Sequence, residues 1–401
     1  MKILNAGHHY HIKGGSDRYL MNLETLLQGQ GHEVIPFAAE HPDNEPTPYS
    51  QYFPAAGIAT QGTNPKTIAK LMYNPTVRKQ VDALLQDHPV DLAHLHIYYG
   101  KLTTALLDGI RKHNVPIVQT CHEYKLICPV YTLISQGEIC TACQGHKFYK
   151  GLVKKCNKGS LARSLGIVLE SYASRWNGDN RKVDHFITVS EFQRQQIVEM
   201  KVVPEDKITT VHNFLDPTNF TPHYTPGDYL LFFGRLDATK GVLTLVKAMQ
   251  QLPDVQLKIA GDGALRPTLE AYIAEHKMTN VEIVGFKSGA ALAEIIQNSR
   301  CNVIPSEWYE TFGLTTIESN AYGKPVVGSR IGGIQEVIAD GETGWFFEPG
   351  HVNELAEKLR WMMDHPTEVE AMGRKARAHV EQYFSPKPHY RQLMDVYAKV
   401  L

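Results

Sequence analysis

The sequence predicts an α/β fold with two domains, each built from a parallel sheet and flanking helices. Three short apolar runs, at 3–6, 230–233 and 301–304, are typical of buried strands, and each leads through a loop into apolar residues at helical spacing. Such strand–loop–helix units assemble into parallel sheets covered by helices. The 401 residues are enough for two domains of this kind.

Composition excludes several classes of protein. The formal net charge of −1 and the 21% of charged residues show no basic excess, so we expect no nucleic-acid partner. No run of about 18 or more apolar residues occurs, and the chain enters its first strand pattern at Ile3 without an apolar signal segment. We therefore expect a cytoplasmic protein, with a peripheral position at the inner face of the membrane as the alternative.

The stretch 306–324 organises the carboxyl-terminal half. It predicts a polar loop followed by a helix, whose first amides point into the crevice beyond the preceding strand, where an anion binds well. Those amides belong to Gly313, Leu314 and Thr315. Glu310 on the loop and Glu318 on the second helical turn flank this anion site. Because phosphate repels carboxylates, we expect the two glutamates to bind hydroxyls of the same ligand. Taken alone, the pair is more simply interpreted as two solvated side chains.

A second turn carries cations. The strand pattern 230–233 runs into Gly234 and then into Arg235, Lys240 and Gly241 before the next helical pattern begins. A charge-assisted hydrogen bond to a phosphate oxygen contributes roughly 1.5–3 kcal/mol, and two such cations suit a diphosphate. Each cation by itself would more simply be a solvated surface charge.

Several motifs therefore occur together. They are Gly234-Arg235-Leu236 with Lys240-Gly241, the turn 260–263, Glu310 separated by seven residues from Glu318, and the segments 332–336 and 340–344. In this combination they resemble the motifs of GT-B glycosyltransferases of family 4. The resemblance covers essentially the whole chain.

This resemblance implies two Rossmann-like domains that face each other across a cleft. The acceptor domain would span 1–222 and carry a cysteine-rich, basic insertion at about 125–165. The donor domain would span 223–385, and a helix at 386–401 would return to the amino-terminal domain. The proline-rich stretch 217–226 is the expected linker.

The resemblance also implies the reaction. We expect a retaining enzyme that moves a hexose-type sugar from a nucleotide-diphosphate donor to a glycan or lipid-linked acceptor, in polysaccharide or glycoconjugate biosynthesis. Preorganised positive charge would stabilise the leaving diphosphate, and the leaving phosphate would help to remove the acceptor proton. The sequence contains no Asp-x-Asp, so we expect no catalytic metal and no cofactor besides the donor substrate. A GT-B sugar-nucleotide epimerase and a catalytically silent partner subunit are the alternatives, and the intact set of cations and glutamates disfavours both.

By the same resemblance, catalytic roles fall to His122, Arg235, Lys240 and Glu310. Donor-binding roles fall to Gly14, Gly15, Gly234, Phe286, Gly313, Leu314, Thr315 and Glu318. His122 follows a strand pattern and approaches the transferred sugar in relatives, although Glu123 stands where many relatives have aspartate. On the sequence alone, Gly14-Gly15 is equally well a tight turn. His94 and His96 lie on one face of another strand pattern and are equally well buried structural residues.

Local signals place two helix starts in the amino-terminal half. Ser16 or Asp17 is expected to cap the first helix, and Ser190 to cap the helix at 191–200. Residues 42–80 lack clear periodicity, and we expect only loop and some helix there.

The insertion at about 125–165 contains four cysteines, Cys128, Cys140, Cys143 and Cys156. In a cytosolic protein, clustered thiols favour a structural zinc ion over disulfides. A zinc site normally shows two closely spaced pairs, however, and only Cys140 and Cys143 have that spacing. Free thiols are therefore the simpler interpretation, with structural zinc as the alternative.

The same insertion is basic, with aromatic and aliphatic residues between its lysines. The basic side chains are Lys147, Lys150, Lys154, Lys155, Lys158 and Arg163. This pattern predicts either contact with an anionic membrane surface, where a lipid-diphosphate acceptor would reside, or an ordinary solvated face.

Overall fold

The computed structural model describes residues 1–55, 70 and 72–401, so part of the expectation for 42–80 lies outside the described residues. The chain divides into two compact units. The first comprises Met1–Gln136, Cys140–His212 and His389–Leu401, and the second comprises Gly137–Ile139 and Asn213–Pro388. Over the described residues, each unit is built on a six-stranded parallel sheet.

The first unit has the sheet order β2-β1-β3-β4-β7-β8. Its strands are β1 Lys2–Gly7, β2 Glu33–Ala38, β3 Leu92–Leu95, β4 Ile117–Cys121, β7 His185–Thr188 and β8 Ile208–Thr210; two short strands, β5 Ile134–Ser135 and β6 Glu138–Ile139, lie in the insertion. Its helices are α1 Gly15–Gly29, α2 Pro75–Asp87, α3 Ala105–Arg111, α4 Tyr149–Val153, α5 Leu161–Asn177, α6 Asp179–Lys182 and α7 Glu191–Glu199. The predicted strand–loop–helix units of this half are therefore confirmed.

Two capping predictions have different outcomes. Ser190 caps α7, because its Oγ accepts a hydrogen bond from the amide of Gln193 at 3.1 Å. The expectation for α1 was wrong: its N-cap is Gly14, and Asp17 lies inside the first turn. From there the Asp17 carboxylate accepts a hydrogen bond from the Gly14 amide at 3.1 Å, which satisfies a donor that the helix itself leaves unpaired.

The second unit has the sheet order β11-β10-β9-β12-β13-β14. Its strands are β9 Tyr229–Phe233, β10 Gln256–Ala260, β11 Val281–Ile283, β12 Asn302–Ile304, β13 Val326–Ser329 and β14 Gly344–Phe347. Its helices are α8 Val242–Gln250, α9 Arg266–Glu275, α10 Gly289–Gln297, α11 Leu314–Ala321, α12 Val352–Asp364 and α13 Pro366–Tyr383; α14 spans Pro386–Tyr397.

Both faces of this second sheet are covered, which explains why its strands are apolar throughout. Leu230 and Phe232 of β9 pack into a core with residues of α8 and α12. The alternate residues Leu231 and Phe233 pack on the opposite face with Ile296 of α10. A strand buried on both faces needs a continuous apolar run, as the sequence 229–233 has.

The segment between the sheets packs on the second unit. The amide of His223 donates to the carbonyl of Tyr322 at 2.8 Å, and Lys324 Nζ donates to the carbonyl of Thr225 at 2.8 Å. The amide of Leu215 also donates to the carbonyl of Phe384 at 3.0 Å, and the second unit begins at Asn213, before the boundary expected at 222. Residues of α14 belong to the first unit, where the Tyr397 hydroxyl lies 2.7 Å from His94 Nδ1. This return of the last helix is the one expected for a GT-B chain.

Among the residues that the structure describes, no helix is both long enough and apolar enough to cross a bilayer.

Candidate active site

The turn after β9 presents the first predicted cation. Arg235 has a 71% exposed side chain, and its Nε lies 2.5 Å from Asp237 Oδ2. Asp237 in turn caps the following short helical turn, because its Oδ1 accepts from the amide of Thr239 at 3.0 Å. Burial would raise the pKa of Asp237, but the hydrogen bond from Thr239 and the charge of Arg235 hold that pKa below its usual value. The ionised Asp237 therefore positions the guanidinium of Arg235.

Gly241 allows this turn to approach β12. Its φ of +62° favours glycine, and a Cβ atom at this position would lie 1.8 Å from the carbonyl oxygen of Pro305. The close approach places Lys240 beside the loop after β12. As a result, Lys240 Nζ lies 2.5 Å from Glu310 Oε1.

Glu310 is buried and has two polar partners. Its Oε1 accepts hydrogen bonds from Lys240 and, at 2.8 Å, from Ser306 Oγ. Burial would raise the pKa of Glu310, but the charge of Lys240 and these hydrogen bonds outweigh burial and hold the pKa below its usual value. Glu310 is thus an ionised acceptor whose charge is balanced by one lysine. Lys240 also lies over the ring of Trp308, 5.4 Å from its centroid.

A second close approach fixes the backbone around Glu310. Gly332 has φ +61°, and a Cβ atom there would lie 2.5 Å from the carbonyl oxygen of Glu310. The neighbouring amide of Gly333 donates to that same carbonyl at 2.8 Å. The glycine pair therefore holds the loop that carries Glu310.

The helix α11 begins directly after this loop. Gly313 is its N-cap, and Leu314 and Thr315 form its first turn, as predicted. The first amides of a helix have no acceptor within that helix, and the helix dipole favours an anion at this end. Glu318 lies one turn further along and is half-buried. Gly234, at the end of β9, begins the cationic turn already described.

The first unit brings His122 into a stack of three histidines. His122 follows β4, and its Nε2 lies 3.1 Å from His96 Nδ1; His96 stacks in turn on His94. Tyr19 packs edge-on against His122, with the ring centroids 4.9 Å apart. Burial lowers the pKa of His122 to about 3. Burial also lowers the pKa of His94 to about 3 and takes that of His96 well below its usual value. The three imidazoles are therefore neutral at physiological pH.

A small cavity of about 10 Å³ adjoins this stack, lined in part by Tyr99, His122, Glu123 and Lys125. Burial raises the pKa of Glu123 to about 7, although the charge of Lys125 opposes the shift. Lys125 pairs with Glu170 at 2.5 Å. Hydroxyl, imidazole and carboxyl groups thus line a space that holds about one water molecule.

Three other predicted positions are exposed. Gly14 and Gly15 form the solvent-exposed start of α1. Phe286 follows β11 and is 74% exposed. No described contact tests their predicted roles in donor binding, which stay predictions.

The four cysteines of the insertion converge without bonding. All six cysteines of the chain fall within the described residues, and each is a free thiol. Burial, followed by the neighbouring thiols of Cys128, Cys156 and Cys140, raises the pKa of Cys143 to about 12. Thiolates around one zinc ion lie about 3.8 Å apart, given Zn–S bonds of about 2.3 Å. In the described part of the chain, no three of these thiols lie within 4.8 Å of one another. The arrangement does not match a closed zinc site; free thiols remain the simpler interpretation, and structural zinc remains its untested alternative.

Sequence reasoning missed two groups of the second unit. Asp237 lies directly before the turn 238–240, where an aspartate commonly caps the turn that follows it. This position in the sequence was a usable signal. Ser306 carries no comparable signal, because its bond to Glu310 depends on how the loop after β12 folds back.

Comparison with known proteins identifies the family. The profile of Glycosyltransferase Family 4 matches residues 13–219, and that of Glycosyl transferases group 1 matches residues 219–379. This chain belongs to glycosyltransferase family 4. It is a glycosyltransferase of the GT-B type, as the motifs predicted.

Individual relatives agree. The chain is 26% identical to the glycogen synthase of Mycobacterium tuberculosis over 396 residues, covering 96% of this chain and 91% of the relative. It is 30% identical to the D-inositol 3-phosphate glycosyltransferase of an Arthrobacter species, covering 92% and 86% of the two chains.

Solved structures confirm the fold. Sucrose-phosphate synthase of Thermosynechococcus elongatus superposes with a TM-score of 0.75 at 21% identity, covering 99% of this chain and 98% of the other. Anabaena HepE in complex with UDP-glucose superposes with a TM-score of 0.66 at 17% identity, covering the whole of both chains. The predicted GT-B fold is therefore confirmed.

Proposed function

We propose that this enzyme transfers a hexose-type sugar, with retention of configuration, from a nucleotide-diphosphate donor to a glycan or lipid-linked acceptor. The observation that carries the proposal is the Lys240–Glu310 pair, in which a lysine of the turn after β9 meets a buried glutamate of the loop leading into the amino end of α11. A cation, an ionised acceptor and helix amides side by side suit a ligand that has both phosphate and hydroxyl groups. The binding of UDP-glucose by Anabaena HepE, a protein of the same fold, supports a nucleotide-sugar donor.

The donor's diphosphate would lie between the cations and α11. Lys240 has three N–H donors, so it can keep its bond to Glu310 while donating to a phosphate oxygen. Arg235, held by Asp237, would supply a second cation. These fixed charges and the α11 amides would stabilise the negative charge that develops as the glycosidic bond breaks.

The sugar would be bound by groups that accept or share hydroxyl protons. Glu310 is ionised and can only accept, so it would bind donor-sugar hydroxyls, while Glu318 would bind the ribose. In the first unit, neutral His122 would hydrogen-bond the transferred sugar without adding charge. We assign no carboxylate as a nucleophile, because Glu310 is already engaged by Lys240 and Ser306.

The anomeric configuration would be retained because the acceptor attacks the anomeric carbon from the same face that the diphosphate leaves. The acceptor oxygen bonds to the anomeric carbon as the carbon–phosphate oxygen bond breaks, and the leaving phosphate takes the acceptor's proton. We propose that no catalytic metal is needed, because Lys240, Arg235 and the helix amides supply the positive charge. The epimerase and silent-partner alternatives lack a supporting observation.

We also propose that the acceptor resides at an anionic membrane surface. The helix α5 exposes an apolar stripe at helical spacing, and α4 adds Val153, which is 74% exposed. The stripe consists of Leu161, Leu165, Leu169 and Trp176. The same segment carries the exposed basic residues Lys154, Lys155, Lys158 and Arg163, and each one near an anionic bilayer contributes about 1 kcal/mol. This combination favours peripheral membrane contact over a purely solvated face.

A turnover assay tests the proposed reaction. Purified enzyme is given UDP-, GDP- and ADP-sugars with and without extracts containing glycan or lipid-linked acceptors, and nucleotide release is measured. We expect one donor to be consumed only when acceptor is present. Conversion of a donor to its epimer without acceptor would support the epimerase, and no consumption of any donor by folded protein would support a silent partner.

Thermal-shift measurements test the donor site separately. The donor should stabilise the wild type, and at a hundred times its dissociation constant the gain is about 2.7 kcal/mol. Arg235→Ala and Glu310→Ala should lose this gain. Arg360→Ala is the matched control, because Arg360 is likewise a surface arginine paired with an aspartate, Asp254. An equal shift in all variants would contradict the assignment.

A further inference from the structure

A cluster of histidines lies at the carboxyl ends of β1 and β2, and the proposed transfer does not use it. The two strands run parallel with Gly7 opposite Ala38, so the loops that follow them leave the same edge of the sheet. His11 lies on the first loop, and His41 and Asp43 lie on the second. The rings of His11 and His41 stack with their centroids 4.6 Å apart.

The three side chains have the spacing of metal ligands. One ligand atom from each of His11, His41 and Asp43 lies within 4.8 Å of the other two. His41 Nδ1 and Asp43 Oδ2 are 3.6 Å apart, which is too long for a good hydrogen bond. With metal–ligand bonds of about 2.0–2.2 Å, two ligand atoms of a tetrahedral ion lie roughly 3.3–3.6 Å apart. The amide of Asp43 donates to His41 Nδ1 at 3.2 Å, so an ion at this nitrogen would replace that hydrogen bond. The separation of the two atoms suits two ligands of one ion.

Asn44 orients the His11 ring for this role. Its Oδ1 accepts from His11 Nδ1 at 3.1 Å and from the amide of Tyr10 at 3.0 Å. Its Nδ2 donates to the carbonyl of Ala39 at 2.9 Å, so one side chain ties the two loops together. Donation from Nδ1 leaves the lone pair on His11 Nε2, the arrangement that a metal-binding histidine needs.

Buried neighbours hold the loop that carries His11. Tyr10 is buried, and its hydroxyl donates to Glu24 at 2.8 Å. His9 packs edge-on against His11, with the ring centroids 4.9 Å apart. Both nitrogens of His9 have partners, Asp17 at 3.4 Å and Lys101 at 2.7 Å, so His9 supports the site rather than offering a ligand. The position of His11 is thus set before any ion arrives.

We propose that His11, His41 and Asp43 bind a divalent transition-metal ion of the zinc, cobalt and nickel class. Two imidazoles and one carboxylate are ligands that these ions prefer, and three protein ligands leave further positions for water. The side chains of His41 and Asp43 are 35% and 73% exposed, so an ion can enter from solvent. Bound there, the ion would link the loops after β1 and β2. Its three ligands are far in the sequence from the cysteines of the insertion.

Cobalt titration tests this site and separates it from the cysteines. Tag-free protein is stripped with a chelator and titrated with Co²⁺, and visible d–d bands are recorded together with near-ultraviolet absorption. We expect one equivalent to bind with d–d bands and without a thiolate-to-cobalt charge-transfer band. A strong charge-transfer band that disappears in Cys140→Ser would instead assign the ion to the cysteines and overturn the proposal.

Calorimetry with Zn²⁺ then tests the individual residues, in protein carrying Cys140→Ser and Cys143→Ser. We expect His41→Gln and Asp43→Asn each to weaken binding about 100-fold or more. Asn44→Ala should weaken it roughly 10- to 100-fold, the usual effect of losing a group that orients a ligand. His113→Gln is the matched control, because His113 pairs with Asp82 at 2.7 Å without completing a metal-binding group among the described residues.

Folding is checked in each variant by circular dichroism without metal. Asp43 is largely exposed, so Asp43→Asn should fold even if a histidine variant does not. Binding of Zn²⁺ by Asp43→Asn and Asn44→Ala with wild-type affinity would overturn the proposal. A loss equal to theirs in His113→Gln would do the same, because it would show general surface binding.

Discussion

The two units keep their candidate site groups in opposite electrostatic states. In the second unit, the charges of Lys240 and Glu310 balance each other, and Arg235 and Asp237 form a second pair at the surface. In the first unit, His94, His96 and His122 stack in an environment that lowers their pKa and keeps them neutral. This difference is consistent with the proposed roles of Lys240 and Arg235 toward phosphate and of His122 toward uncharged hydroxyls. It also means that mutations and pH should affect the two units differently.

The largest expected effect comes from Lys240→Ala. Removing one partner of a buried ion pair leaves an uncompensated charge on Glu310, which costs about 3–5 kcal/mol of stability. Removing a cation from the leaving group should also lower kcat by about 10²–10³-fold. Urea unfolding and donor turnover measure the two losses.

A double variant separates those two losses. In Lys240→Met with Glu310→Gln, no buried charge is left unpaired, so most of the stability should return while turnover stays low. Recovery of turnover along with stability would show that the pair is only structural.

Arg235→Ala should affect activity without affecting stability. The Arg235–Asp237 pair is exposed on the arginine side, and such pairs contribute about 0–1 kcal/mol to folding. The loss of charge-assisted bonds to phosphate, about 1.5–3 kcal/mol, corresponds to roughly a 10- to 150-fold lower kcat/KM. Steady-state kinetics beside the Arg360→Ala control check this, and a loss in the control would point to a nonspecific charge effect.

Acid should destabilise the first unit before the second. The pKa of buried His94 is about 3, below its value of 6.5 in an unfolded chain, so its contribution to stability is complete above pH 6.5 and is lost as pH falls towards 3. In that window, each such histidine lowers the free energy of unfolding by at most about 1.4 kcal/mol for each unit that the pH falls. The pKa of Glu310 is instead lowered from 4.5, so its contribution is lost only in more acidic solution.

Hydrogen exchange between pH 7 and 5 measures this order, and we expect the amides of β3 and β4 to lose protection before those of β9 and β12. His94→Gln should flatten the dependence of unfolding free energy on pH. The same pH slope in wild type and variant would show that His94 is not the group that titrates.

The smallest expected effect concerns the apolar stripe of α5. Leu165 is 44% exposed. Full burial of a leucine contributes about 1.5–3 kcal/mol, and replacing Leu165 would remove part of that contribution from membrane binding. Leu165→Ser should therefore weaken sedimentation with anionic liposomes about threefold to tenfold. Tyr383→Ser, which alters an exposed residue of the second unit, should have no effect. Equal binding to neutral liposomes, or none at low salt, would remove the membrane from the proposal.

The sequence predicted the second unit more completely than the first. Its site consists of short stretches, 234–241 and 306–318, in which a strand end, a glycine turn and a helix start follow one another along the chain. The free amides at Gly313 and Leu314 are set by residues adjacent in the sequence, so a sequence motif is enough to predict them. The pairing of Lys240 with Glu310 was not predicted, because it depends on β9 and β12 lying side by side in the sheet.

By itself, the sequence determined the α/β fold, the family, the order of strand–loop–helix units and the cationic turn, since each is carried by residues close together in the chain. Only the tertiary structure decided which groups meet. The neutral histidine stack, the buried ion pair and the cluster of His11, His41 and Asp43 each join residues from different strands or loops. Charge state and ligand geometry depend on burial and on strand register, and both arise from contacts between distant parts of the chain.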